Sequence, residues 1–109
     1  MLSALFGNKV VEKVLYYLAI NAEGYPRGIA KRLGVALYAV QRQLQRLESD
    51  RIVLSRLVGR TRVYRLSPVW PLKAPLAALL DAAIKAQGRE KLADLYAERQ
   101  RPRRAGKPL

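Results

Sequence analysis

Between Gly34 and Asp50 the sequence reads GVALYAVQRQLQRLESD, and its polar chemistry is lopsided. Tyr38, Gln41, Arg42 and Gln45 supply a phenol, two carboxamides and a guanidinium, whereas both acids, Glu48 and Asp50, stand in the last three positions. On a helix, spacings of three and four bring those four side chains onto one arc. A guanidinium or a carboxamide offers two hydrogen-bonding atoms in one plane, which suits gripping a flat edge and does not suit moving protons at neutral pH. Further cations flank the stretch on both sides: Arg27, Lys31 and Arg32 before it, Arg60 and Arg62 after it. Bond-making chemistry is poorly provided for. The chain contains no Cys and no His, which removes thiolate and imidazole metal ligands, Cys or His nucleophiles and His proton transfer. Ser3, Ser49, Ser55 and Ser67 with the scattered acids assemble no nucleophile–base pair. The expectation is a protein that recognises rather than catalyses: no enzyme, no metal and no cofactor.

Charge names the class of partner. With 21 Lys and Arg against 8 Asp and Glu, the 109-residue chain carries a formal +13, which favours a polyanion without distinguishing DNA, RNA, an acidic protein or an anionic membrane. Half of the residues are hydrophobic, enough for one real core and too many for a mainly disordered chain. The apolar VVEKVLYYLAI is interrupted by charge and too short to cross a bilayer, and MLSALFGNK has no basic run before its apolar residues. No membrane partner and a cytoplasmic location are therefore expected, and the lack of cysteine is compatible with a reducing compartment.

The recognition residues need elements to hold them. Asn8 is a plausible N-cap for a helix over about 8 to 21, with Val11, Val14, Leu15 and Leu18 on one stripe and Val10, Tyr17 and Ile20 on a second. A helix apolar on two flanks is expected to be covered on two sides. NAEGYP breaks the pattern, and RGIAKRLG resumes it with Ile29, Ala30 and Leu33 up to Gly34, which is placed to end a short helix in the left-handed conformation. A third helix, Leu37 to Ser49, turns Leu37, Val40, Leu44 and Leu47 inward. Next, IVLSRLVGRTRVYRLS reads as a hairpin turning at Gly59, pairing Val58 with Thr61 and Val53 with Leu66. SPVWP follows, with Trp70 expected to pack back on the body. A helix over about Pro75 to Gln87 comes next, and Leu72, Leu76, Leu79 and Ala83 repeat with the spacing of a packing seam. REKLADLYAERQ adds one more short helix before the basic RPRRAGKPL.

A small residue at Ala30, a glycine at the turn and apolar Val40 are what two helices crossing through a tight turn require. With Ile29, Leu33, Val35, Leu44 and Leu47 in register and a hairpin downstream, the segments IAKRLGVALYAVQRQLQRLESDRIV and VGRTRVYRLSP resemble the winged helix-turn-helix domains of prokaryotic transcription regulators, ArsR-like and MarR-like, over about Leu5 to Leu80. The fold class expected is mainly α with a small β-hairpin: a winged helix-turn-helix followed by one or two C-terminal helices. The chain divides on this reading into a DNA-binding domain at 1–70, dimerising helices at 71–100 and a disordered basic tail at 101–109. The resemblance implies that the helix 37–49 enters the DNA major groove and that the wing, 53–66, touches backbone or minor groove. Two departures stand out: Ala36 replaces the usual Ser or Thr cap, and the Cys and His of metal-sensing ArsR-like proteins are missing.

Phosphates repel carboxylates, so a helix entering a groove by its first turns should hold its acids at the other end. The helix macrodipole prefers the reverse, so helix stability does not explain where Glu48 and Asp50 lie. Arg42 suits guanine, and Gln41 or Gln45 suits adenine, each good pair worth roughly 1 to 3 kcal/mol of discrimination. Tyr38 suits a phosphate or a thymine methyl. Arg27, Lys31, Arg32, Arg60 and Arg62 suit phosphates that position the domain. The seam Leu72, Leu76, Leu79 and Ala83 suits a homodimer, which would set two recognition helices about 34 to 36 Å apart, one DNA turn. RNA is the first rival partner, disfavoured because Tyr38 and Tyr64 are the main aromatics expected to be exposed for stacking. A protein-docking adaptor is the second.

Overall fold

Asn8 starts the largest buried helix. The computed structural model describes residues 1–98, and in it Asn8 is extended, with Oδ1 accepting from the Val10 and Val11 amides at 2.7 and 3.0 Å. This satisfies two of the first-turn donors of α2 (Lys9–Asn21). Along α2 the residues Val11, Val14, Leu15, Tyr16, Tyr17 and Leu18 are all buried. The two apolar flanks are covered as expected, because α2 is packed by α4 and α3 as well as by the two C-terminal helices. A single turn that the sequence pattern did not announce, α1 (Ser3–Phe6), leans on its start and is closed by Gly7 at φ 72°.

The helix-turn-helix follows. In α3 (Pro26–Leu33) proline occupies the first turn, where a missing N–H costs nothing. Gly34, at φ 69°, donates to the Ala30 carbonyl at 2.9 Å, and Val35 folds back to donate to the same oxygen at 3.1 Å. The chain then enters α4 (Leu37–Ser49) through Ala36, extended and without a side-chain cap. Val40, Leu44 and Leu47 are buried and Leu37 is half-buried. Gln43 is buried too, its Oε1 accepting from Arg46 Nη1 at 2.7 Å.

Strands β1 (Val53–Val58) and β2 (Thr61–Leu66) form the hairpin in the expected register, with Val53 opposite Leu66 and Val58 opposite Thr61. Gly59 turns it at φ 65°. Gly24, in the α2–α3 turn, straps the hairpin to the body: its amide donates to the Tyr64 carbonyl at 3.0 Å and its carbonyl accepts from the Tyr64 amide at 2.8 Å. Only glycine fits there, since a Cβ would lie 2.5 Å from Cε1 of Tyr17. Tyr64 is consequently buried, which corrects the expectation that it is an exposed aromatic. It shares a strand face with Leu66 and closes over the body.

Helices α5 (Lys73–Gln87) and α6 (Arg89–Tyr96) complete the described chain. Leu80, Ala83 and Ile84 from α5 and Leu92 and Tyr96 from α6 join the same hydrophobic core as α2, so these helices share one core with the winged unit. The Leu72, Leu76, Leu79, Ala83 seam is divided by this packing. Ala83 is buried in the protomer's own core and Leu76 packs partly against it, whereas Leu72 and Leu79 remain 57% and 38% exposed. The seam lies to one side of the face, centred on Leu80, that α5 turns toward the core. Trp70 packs back on the body as expected, half-buried in a concavity with Phe6, Leu15, Leu47 and Leu76. The last expected helix ends at Tyr96. The expected basic tail, 101–109, lies outside the described residues.

Candidate nucleic-acid interface

Tyr38, Gln41, Arg42 and Gln45 all stand exposed on α4, opposite the buried Val40, Leu44 and Leu47, and Tyr38 reaches 65% exposure. Gln43 and Arg46, equally polar on paper, hold each other instead. The arc is therefore displayed by helix geometry alone: the same periodicity that sinks the leucines lifts these four outward.

Wing and body converge on the start of this arc. Gln41 and Leu37 of α4, Arg27 at the start of α3, and Arg60 and Arg62 of the wing line a single concavity. Four of the site residues read from the sequence, widely separated along the chain, are thus brought together. Lys31 and Arg32 sit around the corner, in an adjoining concavity with Gly28 and Glu98. Arg32 is partly spent there: Nη2 donates to the Ala97 carbonyl at 2.7 Å and the Asp94 carbonyl at 3.2 Å. Its cation thereby closes the carbonyl end of α6, the end a positive charge favours.

Arg62 is held from behind. Its Nη1 donates to Ser55 Oγ at 2.9 Å, and the Ser55 hydroxyl in turn donates to the Glu48 carboxylate. Glu48, read from the sequence only as an acid kept away from an anionic partner, therefore anchors a wing cation to the end of α4. The same carboxylate adds to burial in pushing the Tyr64 hydroxyl above its ordinary pKa.

Tyr25 was missed. It is 46% exposed and belongs to both concavities, forming the ridge between them. Its ring lies against Gly28, where a Cβ would come within 2.8 Å of the tyrosine Cζ. The signal available was the glycine itself, since glycine inside a helix costs roughly 0.5 to 1 kcal/mol against alanine unless something needs the space. Arg56, on the wing, pairs with Glu23 at 3.1 Å, both about half-exposed, a geometry that contributes little to stability.

Among the described residues no group of three or more His, Cys, Asp or Glu could hold a metal ion, and no helix is long and apolar enough to cross a membrane. No protein-family model matches the chain, and no curated protein sequence matches it. Solved structures do. The MarR family transcriptional regulator SPO1453 from Silicibacter pomeroyi DSS-3 superposes with a TM-score of 0.57 at 22% identity, over 84% of this chain and 68% of its own. The chain shares the winged-helix fold of that regulator. Adhesin competence repressor (AdcR) from Streptococcus pyogenes gives a TM-score of 0.59 at 15% identity, over 87% of this chain and 76% of its own. A double mutant of ZitR from Lactococcus lactis gives 0.57 at 22% identity, over 82% of this chain and 57% of its own. The chain thus spans a little over half the length of ZitR, and the likeness at these identities is one of fold.

Proposed function

We propose that this protein binds double-stranded DNA in a sequence-dependent way as a small, non-enzymatic transcription regulator in the cytoplasm. The observation that carries the proposal is the exposed Tyr/Gln/Arg arc of α4, whose Gln41 shares one concavity with Arg27, Arg60 and Arg62. A helix displaying paired donors beside cations at two flanks is what reading base edges while holding phosphates requires. In this reading α4 enters the major groove, Tyr38, Gln41, Arg42 and Gln45 meet bases, and Arg27, Lys31, Arg60 and Arg62 meet phosphates. Arg32, engaged by α6, adds its charge beside Lys31. That solved neighbours of the same fold include a transcriptional regulator and a repressor supports the reading.

The protein acts as a homodimer in this proposal. Leu72, just before α5, and Leu79 on it, with Leu5 of α1 and Leu95 of α6, leave large apolar side chains in solvent, and a two-fold partner would cover such side chains while spacing two copies of α4 along a duplex.

Selection from random duplexes tests both parts. A two-fold symmetric motif with half-sites about 10 base pairs apart is expected, and a single unsymmetrical site with only monomer in sedimentation would remove the dimer. Arg42→Ala should relax preference at one position per half-site, costing about 1 to 3 kcal/mol against the best base. Arg60→Ala should weaken every duplex alike and lower the slope of log K against log salt by about 0.9. Equal, sequence-blind losses from the two variants would contradict the roles assigned.

A further inference from the structure

The two cationic concavities that meet at Tyr25 differ in one respect. The one holding Arg27, Gln41, Arg60 and Arg62 has no acid in its lining, whereas Glu98 stands in the one holding Lys31 and Arg32. Tyr25 is the extended residue from which α3 starts, at φ −113° and ψ 151°. The hydroxyl end of its ring lies over Gly28, where a Cβ would come within 2.8 Å of Cζ and 3.2 Å of Oη. The buried tyrosines of α2 give their hydroxyl protons to carboxylates, Tyr16 to Glu12 and Tyr17 to Glu98. Among the described residues the Tyr25 hydroxyl has no such acceptor, although its ring is seated and only 46% of the residue is exposed.

We propose that Tyr25 is a phosphate-binding residue: its hydroxyl donates to the DNA backbone phosphate that Arg27, Arg60 and Arg62 draw into their acid-free concavity, and Gly28 leaves the space that seats its ring. This rests on the proposed DNA reading and adds to it a residue to which that reading gives no part. A phenol keeps its proton at neutral pH and is a donor, and a phosphodiester presents acceptors and negative charge. On the far side of the ring Glu98 offsets the charge of Lys31 and Arg32, so the pull on a phosphate at the hydroxyl is stronger toward the three guanidiniums. Glycine inside a helix is otherwise a cost, and at position 28 it is matched by the ring that lies in its place. The tip of a tyrosine side chain can swing aside, so an alanine at this position leaves α3 intact and moves the hydroxyl.

The test uses the full chain with Tyr25→Phe, which keeps the ring and removes only the hydroxyl, with Gly28→Ala, which displaces the ring, and with both changes together. Binding to the selected duplex and to its single-base variants is titrated against salt. Tyr25→Phe should bind every duplex about three- to tenfold more weakly, the span of one hydrogen bond, with the ranking of single-base variants unchanged. Its slope of log K against log salt should equal that of the unmodified protein, because a neutral hydroxyl releases no counterion, whereas Arg60→Ala lowers the slope by about 0.9. Gly28→Ala should cause a comparable loss, and the double variant should lose no more than the weaker-binding single variant. Tyr25→Phe binding as tightly as the unmodified protein, while Arg60→Ala still binds more weakly, would overturn the proposal and leave the DNA reading intact. An altered ranking would overturn it too, since Tyr25 would then read a base, and fully additive losses would show that Gly28 acts on binding without the ring. If the unmodified protein shows no preference among duplexes, both inferences fall together.

Discussion

Ser55 stands between an acid and a base: its hydroxyl donates to Glu48 and accepts from Arg62. Removing it frees the wing guanidinium and takes a donor from a partly buried carboxylate, and a hydrogen bond to a charged group is worth about 1.5 to 3 kcal/mol. Ser55→Ala should therefore weaken binding to all duplexes by a few-fold, with the order of preference among single-base variants unchanged, as measured by anisotropy titration. A changed order would mean that Arg62 reads a base. Residues of this kind were not legible in the sequence, because the bridge joins α4, β1 and β2 across seven residues at each step and no local pattern announces it. Tyr38, Gln41, Arg42 and Gln45 were legible, since a helical period alone puts them opposite the leucines. Tyr64 was misread although the register held the answer: it lies two residues from Leu66 and therefore on the same strand face. The Tyr25–Gly28 contact was hidden for a simpler reason, namely that an aromatic covering a helical glycine requires the turn before α3 to be in place.

The elements themselves were mostly legible, and where α4 lacks something the lack is testable. Ala36 sits at φ −63°, ψ 141°, an extended N-cap conformation with no side chain to receive the first-turn amides. Ala36→Ser should raise unfolding free energy by roughly 0.5 to 1 kcal/mol in thermal or urea denaturation, leaving DNA preference unaltered because the arc proposed to read bases begins two residues later. No gain, with the helix intact by circular dichroism, would show that those amides already have other partners. The helix from Leu37 to Ser49, the glycine at the turn and the hairpin pairing all followed from caps, periodicity and turn chemistry. The short α1 did not, because four residues carry less than one period of pattern. The divided seam on α5 did not either. Spacing identifies a stripe, but which side of the stripe a neighbouring helix covers depends on the crossing with α2, a tertiary property.

At the scale of the molecule, α2 is the axle, and buried tyrosines fasten the rest to it. Tyr16 donates to Glu12 and accepts from Gln87 of α5; Tyr17 donates to Glu98 beyond α6; Tyr96 meets the Tyr16 ring at 5.8 Å; Tyr64 locks the hairpin. Burial, reinforced for Tyr16 and Tyr17 by a carboxylate acceptor, raises all four hydroxyls above the ordinary value of 10, Tyr16 to about 12. A proton held more tightly in the folded state means stability that is complete below pH 10 and lost as pH rises through the folded values. Glu12 acts in the opposite sense at the acid end. Burial works to raise its pKa, but the Leu2 amide, the N-terminal ammonium and the Tyr16 hydroxyl outweigh this and hold it below 4.5, so its contribution is present above that pH and fades beneath it. Melting temperature should accordingly form a plateau between these limits and fall steeply from pH 10 to 12, with tyrosinate absorbance from the buried rings rising together with the loss of helix. Tyr16→Phe keeps the ring and removes the hydroxyl; it should lower stability at neutral pH and flatten the alkaline fall. Tyrosinate from these four side chains appearing in a still-helical protein would show that their hydroxyls are open to solvent and that the axle is fastened in some other way.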